Sequence, residues 1–247
     1  MISVIICSID PAKFAAVETM YGAALAGEKW ELIGIHDAAS MAEGYSRAID
    51  RSRGDVLVFS HDDVEVLSPR FAKTVRGHLG SYDLFGVAGT TLMTNGFWTE
   101  AGPPYGYGQI VQPAGEGKFQ VFIYSNACRI VGGIQGVDGV FMAARRSVFS
   151  RVRFDAETFD GFHLYDQDLC FSVWRSGLKT AVACDVCLLH QSPGTYDATL
   201  NKYASRFVQK WLRGQAAPPV RPYTWTTVTV GSKAEALEIM RPPHWAT

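Results

Sequence analysis

Two adjacent carboxylates, Asp62 and Asp63, stand at the end of an apolar run, and they are the residues of this sequence best placed to do chemistry. The run is Val56-Leu57-Val58-Phe59, followed by Ser60 and His61. Its β-branched and aromatic content predicts a strand buried on both faces. Ligands of open α/β sheets bind at the carboxyl ends of such strands. Neighbouring carboxylates repel unless a positive charge lies between them, and carboxylate oxygens suit Mg²⁺ or Mn²⁺. A metal site is one reading; caps for the next turn are the other.

Two earlier strands end in the same way. Ile2–Cys7 runs into Ser8 and Asp10, and 31–36 runs into Asp37. Asp10-Pro11 suits the start of a helix reaching about Leu25, and residues 41–49 read as a second, shorter helix. The order β-α-β-α-β within about 60 residues predicts a parallel sheet with right-handed crossovers. Parallel pairing places Asp10, Asp37, Asp62 and Asp63 on one edge.

Further along, Ser68-Pro69 predicts a helix start and 83–91 a strand. Residues 93–136 are rich in Gly, Pro and aromatics and read as a long loop with a hairpin at 119–124. Its aromatic faces suit either sugar stacking or ordinary packing. A glycine-dense stretch, 132–139, containing Asp138 and Gly139, leads into a strand at 140–144. It lacks the lysine and the following helix of a phosphate-binding loop. Arg145-Arg146 reads as a phosphate partner or a solvated helix start. Asp166 and Asp168 open a helix that Gly177 ends. Asp166 is a candidate general base or simply a cap. Residues 179–183 and 185–189 predict a last strand pair closed by His190, a packed residue or a metal ligand. An amphipathic helix spans 199–213. The tail carries prolines at 218, 219 and 222, then a strand at 224–230 and a short helix at 233–240.

Composition bounds the function. The 247 residues are 47% hydrophobic and 19% charged, which fits a packed α/β protein and argues against disorder. A net charge of −1 gives no field favouring nucleic acid. No stretch reaches the length of a membrane span, and the short apolar run at the N-terminus has no basic leader. The expectation is a cytoplasmic protein. Five cysteines lie mostly in apolar runs and read as small buried hydrophobes. Cys184 and Cys187 have CxxC spacing with no second pair.

In order and spacing these segments resemble the family-2 glycosyltransferases of the GT-A fold, over roughly residues 2–212. The resemblance rests on strand 3–8, on 30–37 with its terminal Asp37, and on 57–63 in the position of the metal-binding DxD strand. It continues in 137–146 on the acceptor side and 165–170 in the position of an acidic pair opening a helix. His61 stands where the family's first acid is expected, and Tyr165 where it usually has Glu.

The resemblance implies a mostly parallel GT-A sheet flanked by helices, with a C-terminal helical extension. Residues 1–213 would be the transferase domain, 1–92 its nucleotide half and 93–198 its acceptor half, with 214–247 as the extension. It implies a metal-dependent inverting transfer of sugar from a nucleotide-diphosphate donor, most often a UDP-sugar, to a glycan or glycolipid hydroxyl in bacterial polysaccharide synthesis. Asp166 would be the base and Asp63 and His190 the ligands of Mn²⁺ or Mg²⁺. Ser8, Asp10, Asp37, Asp62, Asp138 and Gly139 would hold the donor. A membrane-linked acceptor would bring the protein to the inner membrane face, and a homo-oligomer is compatible with the tail. Two other functions fit the residues: an inactive sugar- or nucleotide-binding module of the same fold, and a sugar-nucleotide pyrophosphorylase. The second lacks its Gly-rich basic loop after the first strand, where this chain has Ser8-Ile9-Asp10-Pro11.

Overall fold

The computed structural model describes residues 1–194, 198–214, 225–242 and 245. The first third of the chain follows its hydrophobic pattern. β1 (Ile2–Cys7) is buried along nearly its whole length. The Asp10 side chain accepts from the Ala12 and Lys13 amides, and with Pro11 in the first turn it starts α1 (Pro11–Ala24). β2 (Trp30–Ile35) follows. Ser40 then caps α2 (Met41–Arg51) by accepting from the Glu43 amide, and the Glu43 carboxylate reaches back to the Ala39 amide. β3 (Val56–Ser60) is wholly buried. β1 pairs in parallel with both β2 and β3, Ile2 lying opposite Trp30 and Val56.

β4 (Val64–Val66) leads to α3 (Phe71–Leu79), which starts two residues beyond Ser68-Pro69. The Ser68 hydroxyl donates to the Asp185 carbonyl and accepts from the Cys187 amide, so it caps no helix. The strand expected at 83–91 is two strands, β5 (Leu84–Gly86) and β6 (Ala88–Thr90), in different sheets. Glycine allows the crossing: a Cβ on Gly86 would come within 2.8 Å of the Val137 Cβ.

The region expected to be mainly loop holds four strands: β7 (Gly106–Gly115), β8 (Lys118–Ser125), β9 (Ile130–Gly132) and β10 (Gly136–Val137). β7 and β8 form a hairpin that turns at Gly115-Glu116-Gly117, all three residues having positive φ. Glycine supplies that conformation without a steric cost. β11 (Phe141–Arg145) and α4 (Tyr165–Arg175) come next, and Gly177 stops the helix with φ +78. β12 (Thr180–Ala183) and β13 (Leu188–His190) do not pair with each other as expected. The chain turns at Asp185, with the Val186 amide on the Ala183 carbonyl, and passes to the second sheet. α5 (Ala198–Phe207) continues into a π-helical turn over Val208–Leu212. β14 (Thr226–Val230) and α6 (Lys233–Met240) are the last strand and α-helix among the described residues. The prolines at 218, 219 and 222 lie outside the described residues.

The first sheet runs β2-β1-β3-β11-β5-β12-β9. The second runs β10-β6-β7-β13-β4, with β8 on β7 and β14 on β8. Alternate residues of β3 enter opposite cores: Leu57 and Phe59 pack with Tyr45, Phe154 and Leu169, Val56 and Val58 with Tyr21 and Phe71. That two-sided burial is why the run shows no polar alternation. Arg145 and Arg146 donate to the backbone carbonyls of Leu79 and Gly54, beside the start of β3. They serve the edge of the sheet opposite Asp62 and Asp63, so the phosphate reading of this pair does not hold for the cleft. All five cysteines are free.

Candidate active site

The carboxyl end of β3 and the end of β13 build one cluster. β13 pairs antiparallel with β4, His190 lying opposite Val64. The Gln191 amide donates to the Asp63 carbonyl at 2.9 Å. This register sets His190 Nε2 3.2 Å from Asp63 Oδ1. His61 Nδ1 lies 3.4 Å from His190 Nε2. One ligand atom from each of His61, Asp63 and His190 lies within 4.8 Å of the others. The sequence pointed to Asp63 and His190; it did not mark His61 as a ligand. The signal was there, because His61 holds the first position of the motif and imidazole is a common metal ligand.

The electrostatics suit a cation. Burial raises the Asp63 carboxyl, but the hydrogen bond and charge of His190, with Ser192 and His61 behind, outweigh it and hold the group well below the usual range. Burial, then the charge of His190, lowers the pKa of His61. His61 is therefore neutral at pH 7, with a ring lone pair to offer. Two imidazoles and one carboxylate match the mixed nitrogen and oxygen shell that Mn²⁺ accepts, so the donor set fits a divalent metal.

α4 brings in the second part of the site. Leu164 starts the helix in the left-handed region, φ 63, so neither Tyr165 nor Asp166 acts as a side-chain cap. Asp166 is 8% exposed, and its Oδ1 has no hydrogen-bond partner among the described residues. Burial, then the charge of Asp138, raises its carboxyl from 3.8 to about 7. Asp138 accepts from Trp98 Nε1 at 3.2 Å and from the Val140 amide at 3.0 Å. Gly139 leaves space for both neighbours: a Cβ there would meet Tyr165 Oη and come within 2.8 Å of Asp166 Oδ2. Tyr165 Oη lies 3.1 Å from His61 Nε2, joining the base candidate's helix to the cluster of His61, Asp63 and His190. His61, His190, Asp138, Tyr165 and Asp166 line one hollow of about 350 Å³, with Trp98 and Tyr124 on its wall.

The remaining expected residues share the sheet edge and not the hollow. Asp62 Oδ2 accepts from Ser8 Oγ at 2.6 Å, tying the ends of β1 and β3 together. Lys13 Nζ is 3.9 Å from Asp62 Oδ1. Asp10 caps α1. Asp37 is exposed and pairs with Arg47 at 2.8 Å, and Arg47's hydrogen bond and charge lower its pKa. Asp168, two residues beyond Asp166, turns away from the hollow. It accepts from Lys210 Nζ at 2.8 Å and Trp211 Nε1 at 2.6 Å, which fastens the π-helical turn to α4. Among the described residues no helix is long and apolar enough to cross a membrane.

Comparison with known proteins agrees with this architecture. No curated protein sequence matches the chain significantly. Among solved structures, a mannosyltransferase from Pyrobaculum calidifontis, determined with GDP-mannose and Mn²⁺, superposes with a TM-score of 0.51 at 11% identity. The match covers 88% of this chain and 66% of that one. GalNAc-T7, determined with UDP, GalNAc and Mn²⁺, superposes with a TM-score of 0.52 at 10% identity, covering 87% of this chain and 48% of that one. The chain thus spans about two thirds and about half of these two neighbours. At such identities the likeness establishes the GT-A fold. The sequence itself matches a glycosyltransferase-like family over residues 3–211. That span is most of the chain, takes in both β3 and α4, and makes this protein a member of the family: a family-2 glycosyltransferase on the GT-A fold.

Proposed function

We propose that the protein is a metal-dependent inverting glycosyltransferase that moves a sugar from a nucleoside-diphosphate donor, a UDP-sugar, to a hydroxyl of a glycan or glycolipid. One observation carries the reading. A buried carboxyl, its Oδ1 unpartnered among the described residues and its pKa raised to about 7, faces the same hollow as the two histidines of the cluster with Asp63. A general base works best with a pKa near the operating pH, and Asp166 is such a group.

The residues divide by role. Asp166 takes the proton of the acceptor hydroxyl as that oxygen attacks the anomeric carbon. The bond from that carbon to the diphosphate oxygen breaks, and a single displacement inverts the centre. Asp63, His190 and His61 would hold a divalent cation, which when bound supplies Lewis-acid neutralisation of the departing diphosphate. Ser8 and Asp62 set the floor where β1 and β3 end; Asp10 and Asp37 line the nucleotide edge. Asp138 and Gly139 position the base, and Trp98 and Tyr124 offer apolar faces to a sugar ring.

The testing experiment is a thermal-shift panel of nucleoside diphosphates with and without Mn²⁺. Stabilisation by UDP only in the presence of Mn²⁺, lost in Asp63→Ala and kept in Asp166→Ala, is the expected result. It should grow with ligand concentration as mass action requires. Donor turnover must vanish in Asp166→Ala. Nucleotide stabilisation unchanged by Asp63→Ala would overturn the metal assignment.

A further inference from the structure

Away from the hollow, four segments distant in sequence bring cationic side chains to one place. Arg70 and Lys73 come from the start of α3, Arg129 from the residue before β9, and Arg241 from the residue after α6. Arg70, Arg129 and Arg241 line a cavity of about 670 Å³. The same three, with Lys73, line an adjoining one of about 290 Å³. Neither shares a lining residue with the hollow of Asp166.

Among the described residues the charge there is only partly compensated. Arg70, Lys73 and Arg241 are exposed and make no ion pair or hydrogen bond through their side chains among the described residues. Arg129 donates to the Trp245 carbonyl, a neutral acceptor. Two acids border the cavities, Asp185 and Glu238, and Asp185 is already bound to His78 at 2.6 Å. The whole chain has a net charge of −1, so this surplus does not follow from a basic composition. Like charges gathered in one concavity repel, and an anion seated among them removes the repulsion. Arginine forks match phosphate oxygens in pairs.

The position is informative. β3, β5 and β12 point the same way in the first sheet, each being antiparallel to β11 or parallel to β5. Asp185 follows β12, and Arg129 precedes β9, whose Ile130 lies opposite Ala183. The basic cavities therefore sit on the sheet edge that carries Asp62 and Asp63, three strands along from β3. At about 4.8 Å per strand the offset is roughly 15 Å.

We propose that the cavities bordered by Arg70, Lys73, Arg129 and Arg241 form a second anion site, which takes a phosphate-bearing group. That group comes either from an anionic lipid headgroup or from a free phosphate or pyrophosphate compound. The test uses the full chain without metal, so that the cluster of Asp63 draws no ligand. One arm is calorimetric titration with inorganic pyrophosphate. The other is co-sedimentation with phosphatidylcholine vesicles with and without phosphatidylglycerol. Arg70→Gln with Arg241→Gln is the variant, since both side chains are exposed and make no ion pair or hydrogen bond among the described residues.

Binding in at least one arm, weakened tenfold or more in the variant, is expected. Binding confined to pyrophosphate identifies a soluble ligand, and binding confined to anionic vesicles a headgroup. No binding in either arm, or binding that the variant leaves unchanged, overturns the proposal. Stabilisation of the variant by UDP and Mn²⁺ should remain as in the parent, so this site and the catalytic assignment fail separately.

Discussion

Asp166→Asn separates the buried charge from the rest of the fold. The substitution keeps the shape and removes only the ability to ionise. Burial and the charge of Asp138 raise the Asp166 carboxyl from 3.8 to about 7 in the folded chain. An unfolded chain returns it to the ordinary value. A group raised in this way adds stability below its unfolded pKa, and that stability is lost as the pH rises through the folded pKa. At about 1.4 kcal/mol per pH unit, ionisation of Asp166 opposes folding by about 4 kcal/mol once the pH is well above 7. Near pH 5 the opposition is about 1.7 kcal/mol, because only the unfolded chain is then ionised there.

Asparagine has no such dependence. The variant should therefore gain on the parent by about 2.5 kcal/mol between pH 5 and pH 8. For a chain of this length that is roughly 5–10 °C in Tm. The assay is paired thermal or urea unfolding at several pH values, without metal or nucleotide. Taking the difference between the two proteins cancels every other titrating group that the substitution leaves alone. A difference that stays flat with pH would refute the reasoning, since it would mean that Asp166 ionises freely in the folded state and is not the tuned base.

Turnover should rise with pH through about 7 in the parent, because the base must lose its proton before it can accept one; a profile flat from pH 5 to 8 would assign the base elsewhere. Gly139→Ala pushes a methyl against Tyr165 Oη and Asp166 Oδ2. It should cost about 1–3 kcal/mol of stability and most of the activity, read by urea unfolding and donor turnover. Lys210→Met strands the buried Asp168 carboxylate, whose side chain is 2% exposed, and should cost about 3 kcal/mol at pH 7. Tyr165→Phe removes the partner of His61 Nε2 and should weaken Mn²⁺ binding roughly tenfold, with little change in metal-free stability.

The sequence was most legible where one force acted alone. β1 and β3 are apolar runs ended by polar residues, and burial decides them; β2, at the sheet edge and half-buried, keeps enough of the same pattern to be read. Residues 106–137 were not legible in that way. Their strands carry glycines and exposed ends, and their pairing with β6, β13 and β14 is set by contacts far along the chain. The strand at 83–91 failed for a related reason: continuity of hydrophobicity says nothing about a change of sheet. Asp10 and Asp37 show that an edge carboxylate also has local work, one capping α1 and the other pairing with Arg47.

His61 and Tyr165 show the converse. Each departs from the acid that the family resemblance leads one to expect, and taken singly each departure counts against a working site. The structure sets the two side chains 3.1 Å apart, as a hydrogen-bonded pair. Two carboxylates at that distance would have repelled, or one would have kept its proton. Asp63, Asp138 and Asp166 already load the cleft with acid, and the charge of Asp138 is one of the two causes that raise Asp166. A neutral imidazole and phenol add no further negative charge there, yet keep a ligand atom facing Asp63 and His190. The two departures make physical sense together: the tyrosine, 104 residues away, holds one ring nitrogen of His61 and leaves the other facing His190.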